Sequence, residues 1–125
     1  MLRNPRVWLA ALLGWFGTLW ILSSMSGVGP NVSINHLDKV AHFIYFFGGG
    51  VLLAGWRFRY QPVRPSWKLI LTTTILTMAL IGWLDEWHQS FTPGRSGNDP
   101  FDWLADLLGA TAGAFALKAF HRFLR

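Results

Sequence analysis

Four long apolar stretches occupy most of this chain, and they leave few folds open to it. Val7–Met25 has no charged residue. Val40–Trp56 has His42 but no Asp, Glu, Lys or Arg, and Leu69–Leu84 has no charge at all. Trp103–Phe120 holds Asp106 near its start and Lys118 near its end. A helix that crosses a bilayer needs roughly 17–25 mostly apolar residues. Three runs meet that length as they stand, and the third does once Trp67 and Lys68 form its first turn. The expectation is an all-α, integral membrane four-helix bundle, one domain over residues 1–125. Its spans fall at about 7–25, 40–56, 67–84 and 101–120.

Composition agrees. The chain is 52% hydrophobic and 14% charged, with eight Trp, which does not suit a soluble domain of this size. A net charge of +5 and a pI near 10.5 raise the question of nucleic acid. The basic residues flank apolar runs and form no stripe interleaved with stacking aromatics, so nucleic acid is rejected as a partner. Cysteine is absent, which excludes disulfides, thiol catalysis and Cys-based metal sites. The first run, behind Arg3 and Arg6, exceeds a signal-peptide core of roughly 7–15 residues, so it is expected to remain as a helix.

Charge sets the expected topology. Nine of the eleven Lys and Arg fall on one side of the four spans: Arg3, Arg6, Arg57, Arg59, Arg64, Lys68, Lys118, Arg122 and Arg125. The positive-inside rule makes that side cytoplasmic, giving N-in and C-in with two short outer loops at 26–35 and 90–98. The localisation expected is the bacterial cytoplasmic (inner) membrane, multi-pass, with membrane lipids as partners; oligomeric state is left open. Trp56, Trp67, Trp83, Trp87 and Trp103 fall near span ends, where indole rings anchor to the interface.

All six carboxylates fall on the other side: Asp38, Asp85, Glu86, Asp99, Asp102 and Asp106. With Lys39 and Arg95 as the only bases there, the formal charge is −4. Helix-end rules account for part of this. Asp38 suits a first turn behind an Asn35 cap, and Asp99-Pro100 is a cap followed by a first-position proline. Asp102 is partly explained in the same way, whereas Asp106 lies one turn deeper. Asp102, Asp106, Gly109 and Gly113 share one helix face, and the small-residue half of it turns that face into the bundle. Gly48-Gly49-Gly50 is a candidate for the matching close approach.

Asp85 and Glu86 close the third span, where the helix dipole prefers cations. Either that helix continues past Gln89 or these acids have partners. Asp85 and Gln89 share a face, and Glu86 is in reach of Gln89 or Ser90. Asp38, His42 and Tyr45 lie within about 60° of one another on the second helix. An ionisable His42 at membrane depth points to a partner or a function. Thr92-Pro93-Gly94-Arg95 fits a type II turn, which would return Arg95 toward the acids.

These residues resemble a known family. Asp38-Lys39-x-x-His42-Phe43 with Tyr45 beside it, Asp85-Glu86-x-x-Gln89, Pro93-Gly94-Arg95 and Asp102-x-x-x-Asp106-x-x-Gly109-x-x-x-Gly113 are similar to the VanZ-like family, over about Asp38 to Gly113. The resemblance implies a small bacterial multi-span membrane protein. The family's namesake is associated with low-level tolerance of the glycopeptide teicoplanin. Many members carry Asn where this chain has Asp106, so a neutral role there requires Asp106 to be protonated.

Three functions follow as expectations. The first is an outer-face site for a cell-envelope lipid or lipid-linked precursor. There, Asp38, His42, Asp85 and Glu86 are the candidate catalytic groups, with His42 and Asp38 as general base. Lys39, Tyr45, Gln89, Arg95, Asp99, Asp102 and Asp106 are the candidate binding groups, with Arg95 and Lys39 on phosphate. A divalent cation (Mg, Ca, Mn or Zn) is compatible with the ligand types, though no paired-His spacing marks one. No G-x-S-x-G nucleophile motif occurs. The second is a non-catalytic scaffold whose polar cluster locks the bundle. The third, proton or ion transport, is weaker, because the first and third runs have no ionisable residue at mid-depth.

Overall fold

The fold is taken from a computed structural model, which describes residues 1–25, 35–95 and 97–125, the side chains of Asn35 and His36 excepted. The expected first outer loop up to residue 34 and the side chain of the expected Asn35 cap lie outside the described residues, while the backbone of Asn35 is already part of the second helix. Among the described residues four helices follow in order: α1 (Pro5–Ser23), α2 (Asn35–Phe58), α3 (Trp67–Gln89) and α4 (Pro100–Phe120), the last followed by a 3₁₀ turn at His121–Leu124. All four are long and apolar enough to span a membrane.

Local chemistry sets several of these ends. Asn4 accepts the Arg6 N–H at 2.9 Å and Pro5 opens α1. Asp99 accepts the Phe101 N–H at 2.9 Å and Pro100 opens α4. Each proline sits where its missing N–H costs nothing. The third helix runs to Gln89, five residues past the expected end at Leu84, so Asp85 and Glu86 occupy its last turns. The first starts at Pro5 and stops at Ser23, slightly earlier at both ends than expected.

The helices alternate in direction. Ser23, at the end of α1, bonds Asp85 near the end of α3. Arg3 donates to the Arg125 carbonyl, and Arg59 donates to that of Leu124. The bundle therefore has an acidic end and a basic end.

The closest pairing is α2 with α4, and glycine permits it. A Cβ on Gly50 would strike the Ala110 carbonyl; on Gly109, the Phe43 carbonyl; on Gly113, the Phe47 carbonyl. Backbone meets backbone along this seam, as small-residue packing between membrane helices requires. The three-glycine run divides its duties: Gly50 serves α4, Gly49 meets the Trp15 ring on α1, and Gly48 meets nothing. Two buried apolar clusters fill the remaining interior, one around Phe58 and Ala114 and one around Phe46 and Met78.

Outside, large apolar side chains stand exposed along the helices, among them Leu13, Ile21, Ile44, Leu76, Leu80, Leu108 and Phe115. Such a surface would be a liability in water, and it matches a hydrocarbon solvent, in which backbone polar groups must be satisfied within helices. Trp83 and Trp87 are exposed as anchors would be. Trp67 packs instead on Phe58 and His121, and Trp103 donates to the Ala79 carbonyl at 2.9 Å, tying α4 to α3.

Candidate functional site

The acidic end gathers its polar side chains from α1, α2, α3, α4 and the turn between α3 and α4. Asp85, Glu86, Gln89, Asp102 and Asp106 are all buried, Asp106 with no exposed surface. Burial of this many carboxylates demands partners for each, because unpaired buried charge is costly.

His42 lies at the centre. Its Nδ1 is 2.7 Å from Asp106 Oδ1. Its Nε2 faces Asp38 at 3.8 Å and Asp102 at 3.9 Å. The expected His42–Asp38 pairing is thus the longer contact, and Asp106, one turn below the helix start, is the main partner. Asp106 reaches His42 because Gly109 and Gly113 let α4 close onto α2.

Lys39 sits one turn above His42 and spans the helix starts, with Nζ 3.1 Å from Asp102 and 3.5 Å from Asp99. Burial pushes the Asp99 carboxyl up, but the Phe101 N–H and the Lys39 ammonium outweigh it and hold the group below the usual carboxylate range.

Asp85 and Glu86 answer the dipole objection in different ways. Asp85 accepts from Ser23 Oγ on α1 and from Gln89 Nε2, the latter at 2.8 Å. Glu86 pairs with neither Gln89 nor Ser90 through its side chain. Its Oε2 takes the Asp99 N–H at 3.0 Å, so the acid that opposes its own helix dipole favours the N-terminus of α4. The turn that makes this possible is tight. Gly94 has φ 79° and the Arg95 N–H meets the Thr92 carbonyl at 3.2 Å, which is type II geometry. Gly97 lies against the Ser90 and Glu86 backbone with no room for a Cβ, and the Asn98 N–H meets the Glu86 carbonyl at 3.2 Å.

Arg95 does return to the site, but not to a carboxylate. Its Nη2 donates to Gln89 Oε1 at 3.1 Å and its Nη1 to the Leu22 and Met25 carbonyls at 3.0 and 3.4 Å. It closes the C-terminus of α1, where a cation suits the dipole. Thr92 adds a 2.7 Å bond to the Ser23 carbonyl. Tyr45 and Trp15 clasp α2 to α1: Tyr45 Oη donates to the Trp15 carbonyl at 2.7 Å, Trp15 Nε1 to the Tyr45 carbonyl at 3.1 Å, and the rings stack at 5.2 Å.

Between α1, α2 and α3 lies a cavity of about 150 Å³. Leu19, Leu22, Ala41 and Phe46 form its apolar wall. Asp38, His42, Tyr45, Asp85, Gln89 and Arg95 supply its polar groups. Glu86 and Asp106 are not part of its lining, and Glu86 borders a second cavity of about 270 Å³ beside Trp83, Asp99 and Trp103. One ligand atom from each of His42, Asp85, Glu86 and Asp106 falls within 4.8 Å of the others, and Asp38, His42 and Asp102 form a second such group.

Ser23 is the participant that sequence reasoning missed. A serine at the end of an apolar helix can bond back to its own helix carbonyls, and nothing in spacing links Ser23 to an acid on α3.

Neither a curated protein nor a solved structure matches the chain. The family model VanZ/LLP1 matches residues 5–121, from the first residue of α1 to the 3₁₀ turn after α4. With four apolar helices and the acidic cluster inside the matched region, the chain is a member of the VanZ/LLP1 family.

Proposed function

We propose that this VanZ-family protein lies in the bacterial cytoplasmic membrane with both termini inside. In this reading it binds the polar headgroup of a cell-envelope lipid or lipid-linked precursor at its outer, acidic end, and so affects glycopeptide tolerance. One observation carries the reading: a cavity between helices lined both by apolar side chains (Leu19, Leu22, Ala41 and Phe46) and by the polar groups of His42, Asp38, Tyr45, Asp85, Gln89 and Arg95. A mainly apolar lining with a few polar groups is the chemistry that an amphiphile needs. The polarity of the ends supports the orientation through the positive-inside rule.

The headgroup contacts differ from a simple phosphate clamp. Lys39 and Arg95 already have partners in Asp99, Asp102, Gln89 and two carbonyls. The polar lining of the cavity is acidic, so it favours a headgroup that brings positive charge of its own or arrives with a cation.

The test is His42→Gln in protein purified into lipid nanodiscs containing a polyprenyl pyrophosphate lipid. Normal accumulation with loss of lipid retention and of a tolerance phenotype is the expected result. Unchanged retention removes the reading. Reporter fusions after Arg64 and Gly97 should report inside and outside; the reverse would place the cavity on the cytoplasmic face.

A structural scaffold is the second reading. It is favoured by the chain of contacts Ser23–Asp85–Gln89–Arg95, which ties α1 to α3 and returns to α1. On that reading His42→Gln and Gln89→Ala fail to accumulate, and no headgroup is retained by the wild type.

A further inference from the structure

We propose that His42, Asp85, Glu86 and Asp106 form a binding site for one divalent metal ion. This deepens the lipid reading, because it names what would let an acidic lining accept a phosphate headgroup.

Geometry comes first. The four residues come from α2, α3 and α4, and each offers one ligand atom within 4.8 Å of the rest. Two of them keep an oxygen uncommitted. Asp106 gives Oδ1 to His42, while its Oδ2 is buried with no hydrogen-bond partner among the described residues. Glu86 gives Oε2 to the Asp99 N–H, while its Oε1 is likewise buried and unpartnered among them. Glu86 is 2% exposed and Asp106 0%, so solvent does not satisfy these oxygens from outside. Asp106 Oδ2 points toward α3, lying 3.1 Å from where a Cβ on Gly82 would be. Glu86 follows Gly82 by one turn. Asp106 on α4 and Glu86 on α3 thus each bring one ligand atom within 4.8 Å of the other, and each keeps a buried oxygen uncommitted.

Charge argues in the same direction. Three buried carboxylates surround one imidazole, and the nearest other cations, Lys39 and Arg95, are committed elsewhere. Buried charges of one sign require compensation. A divalent ion supplies it at a single point.

The surroundings are those of a built site. A metal-bound imidazole normally turns its second ring nitrogen toward a carboxylate. With Nδ1 as the ligand, exchanging its 2.7 Å contact with Asp106 Oδ1 for the ion, His42 turns Nε2 toward Asp38 and Asp102 at 3.8 and 3.9 Å. Asp85 is oriented by Ser23 and Gln89, and Glu86 by the Asp99 N–H. These carboxylates retain lone pairs for a metal after those bonds. One imidazole among three carboxylates suits Mn²⁺ or Zn²⁺ better than Ca²⁺, which takes six to eight oxygens. His42 and Asp85 border the cavity, which gives the ion an entry path and exposes it to a headgroup oxygen.

The experiment uses detergent-purified full chain, stripped with chelator, loaded with Mn²⁺ or Zn²⁺, desalted and assayed for bound metal by mass spectrometry. The expected result is about one ion per chain, raised thermal stability on loading, and at least about 10-fold weaker binding in Glu86→Gln and Asp106→Asn. Wild type that retains no ion overturns the proposal and leaves protons as the compensating charge. Variants that bind as the wild type does overturn it as well. The wild-type measurement stands even where a variant fails to accumulate. Metal retention by a wild type that retains no lipid keeps this site and removes the lipid reading. Lipid retention in metal-free protein that takes up no ion does the opposite.

Discussion

The two ends of the bundle handle buried charge in opposite ways. At the basic end, guanidiniums are spread out and donate to backbone. Arg3 meets the Arg125 carbonyl, and Arg59, only 8% exposed, meets that of Leu124 and packs 5.4 Å over the Phe58 ring. Burial and the neighbouring Arg3 lower the affinity of the Arg59 guanidinium for its proton. These cations lie where the 3₁₀ turn after α4 and the C-terminus present carbonyls, so helix-end chemistry and topology explain them. At the acidic end the charges converge. Side chains from all four helices meet around His42, and several acids serve a neighbouring helix rather than their own. Placing charge near a helix end is common; concentrating five buried or half-buried acids around one imidazole is not, and that contrast is why the functional reading belongs to one end only.

The largest effect should come from the centre of the acidic end. His42→Leu leaves Asp106 with both oxygens buried and without a hydrogen-bond partner among the described residues. The expected loss is about 3–5 kcal/mol of unfolding free energy, measured by denaturant titration in mixed micelles. Arg59→Leu is the matching change at the other end. It removes a charged donor to one carbonyl and should cost about 1.5–3 kcal/mol in the same assay. A larger loss for Arg59 than for His42 would reverse the comparison. The smallest effect sharpens it at the rim. The folded Asp99 carboxyl is held below its usual range, so its contribution is present above the unfolded value of about 3.9 and is lost as pH falls through the folded one. The stability difference between wild type and Asp99→Asn should therefore be constant at neutral pH and vanish in strong acid. A difference that grew on acidification would mean the opposite sign of shift.

The sequence was most legible where one helix decides the outcome. Pro5 and Pro100 mark helix starts because proline is tolerated there, and Asp99 reads as a cap from its own neighbours. Gly109 and Gly113 foretell a close helix contact, but their partners, the carbonyls of Phe43 and Phe47, depend on how α2 docks. For Asp85 and Glu86 the dipole conflict was visible, and its resolution was not. Ser23 is 62 residues from Asp85, and the Asp99 N–H becomes available only because Gly94 and Gly97 fold the turn back over α3. Arg95 shows the limit most clearly. Its return to the site followed from Pro93-Gly94, yet it landed on Gln89 and the end of α1 rather than on an acid.

By itself, the sequence determined four apolar helices, the separation of acidic from basic ends and the family, because hydrophobic length, charge placement and short motifs are properties of single segments. Only the tertiary structure decided that His42 belongs chiefly to Asp106, that Glu86 serves α4 and that two buried carboxylate oxygens have no hydrogen-bond partner among the described residues. Those outcomes are set by which backbones approach closely enough to bring distant side chains within hydrogen-bond reach, and that is a property of the packed bundle.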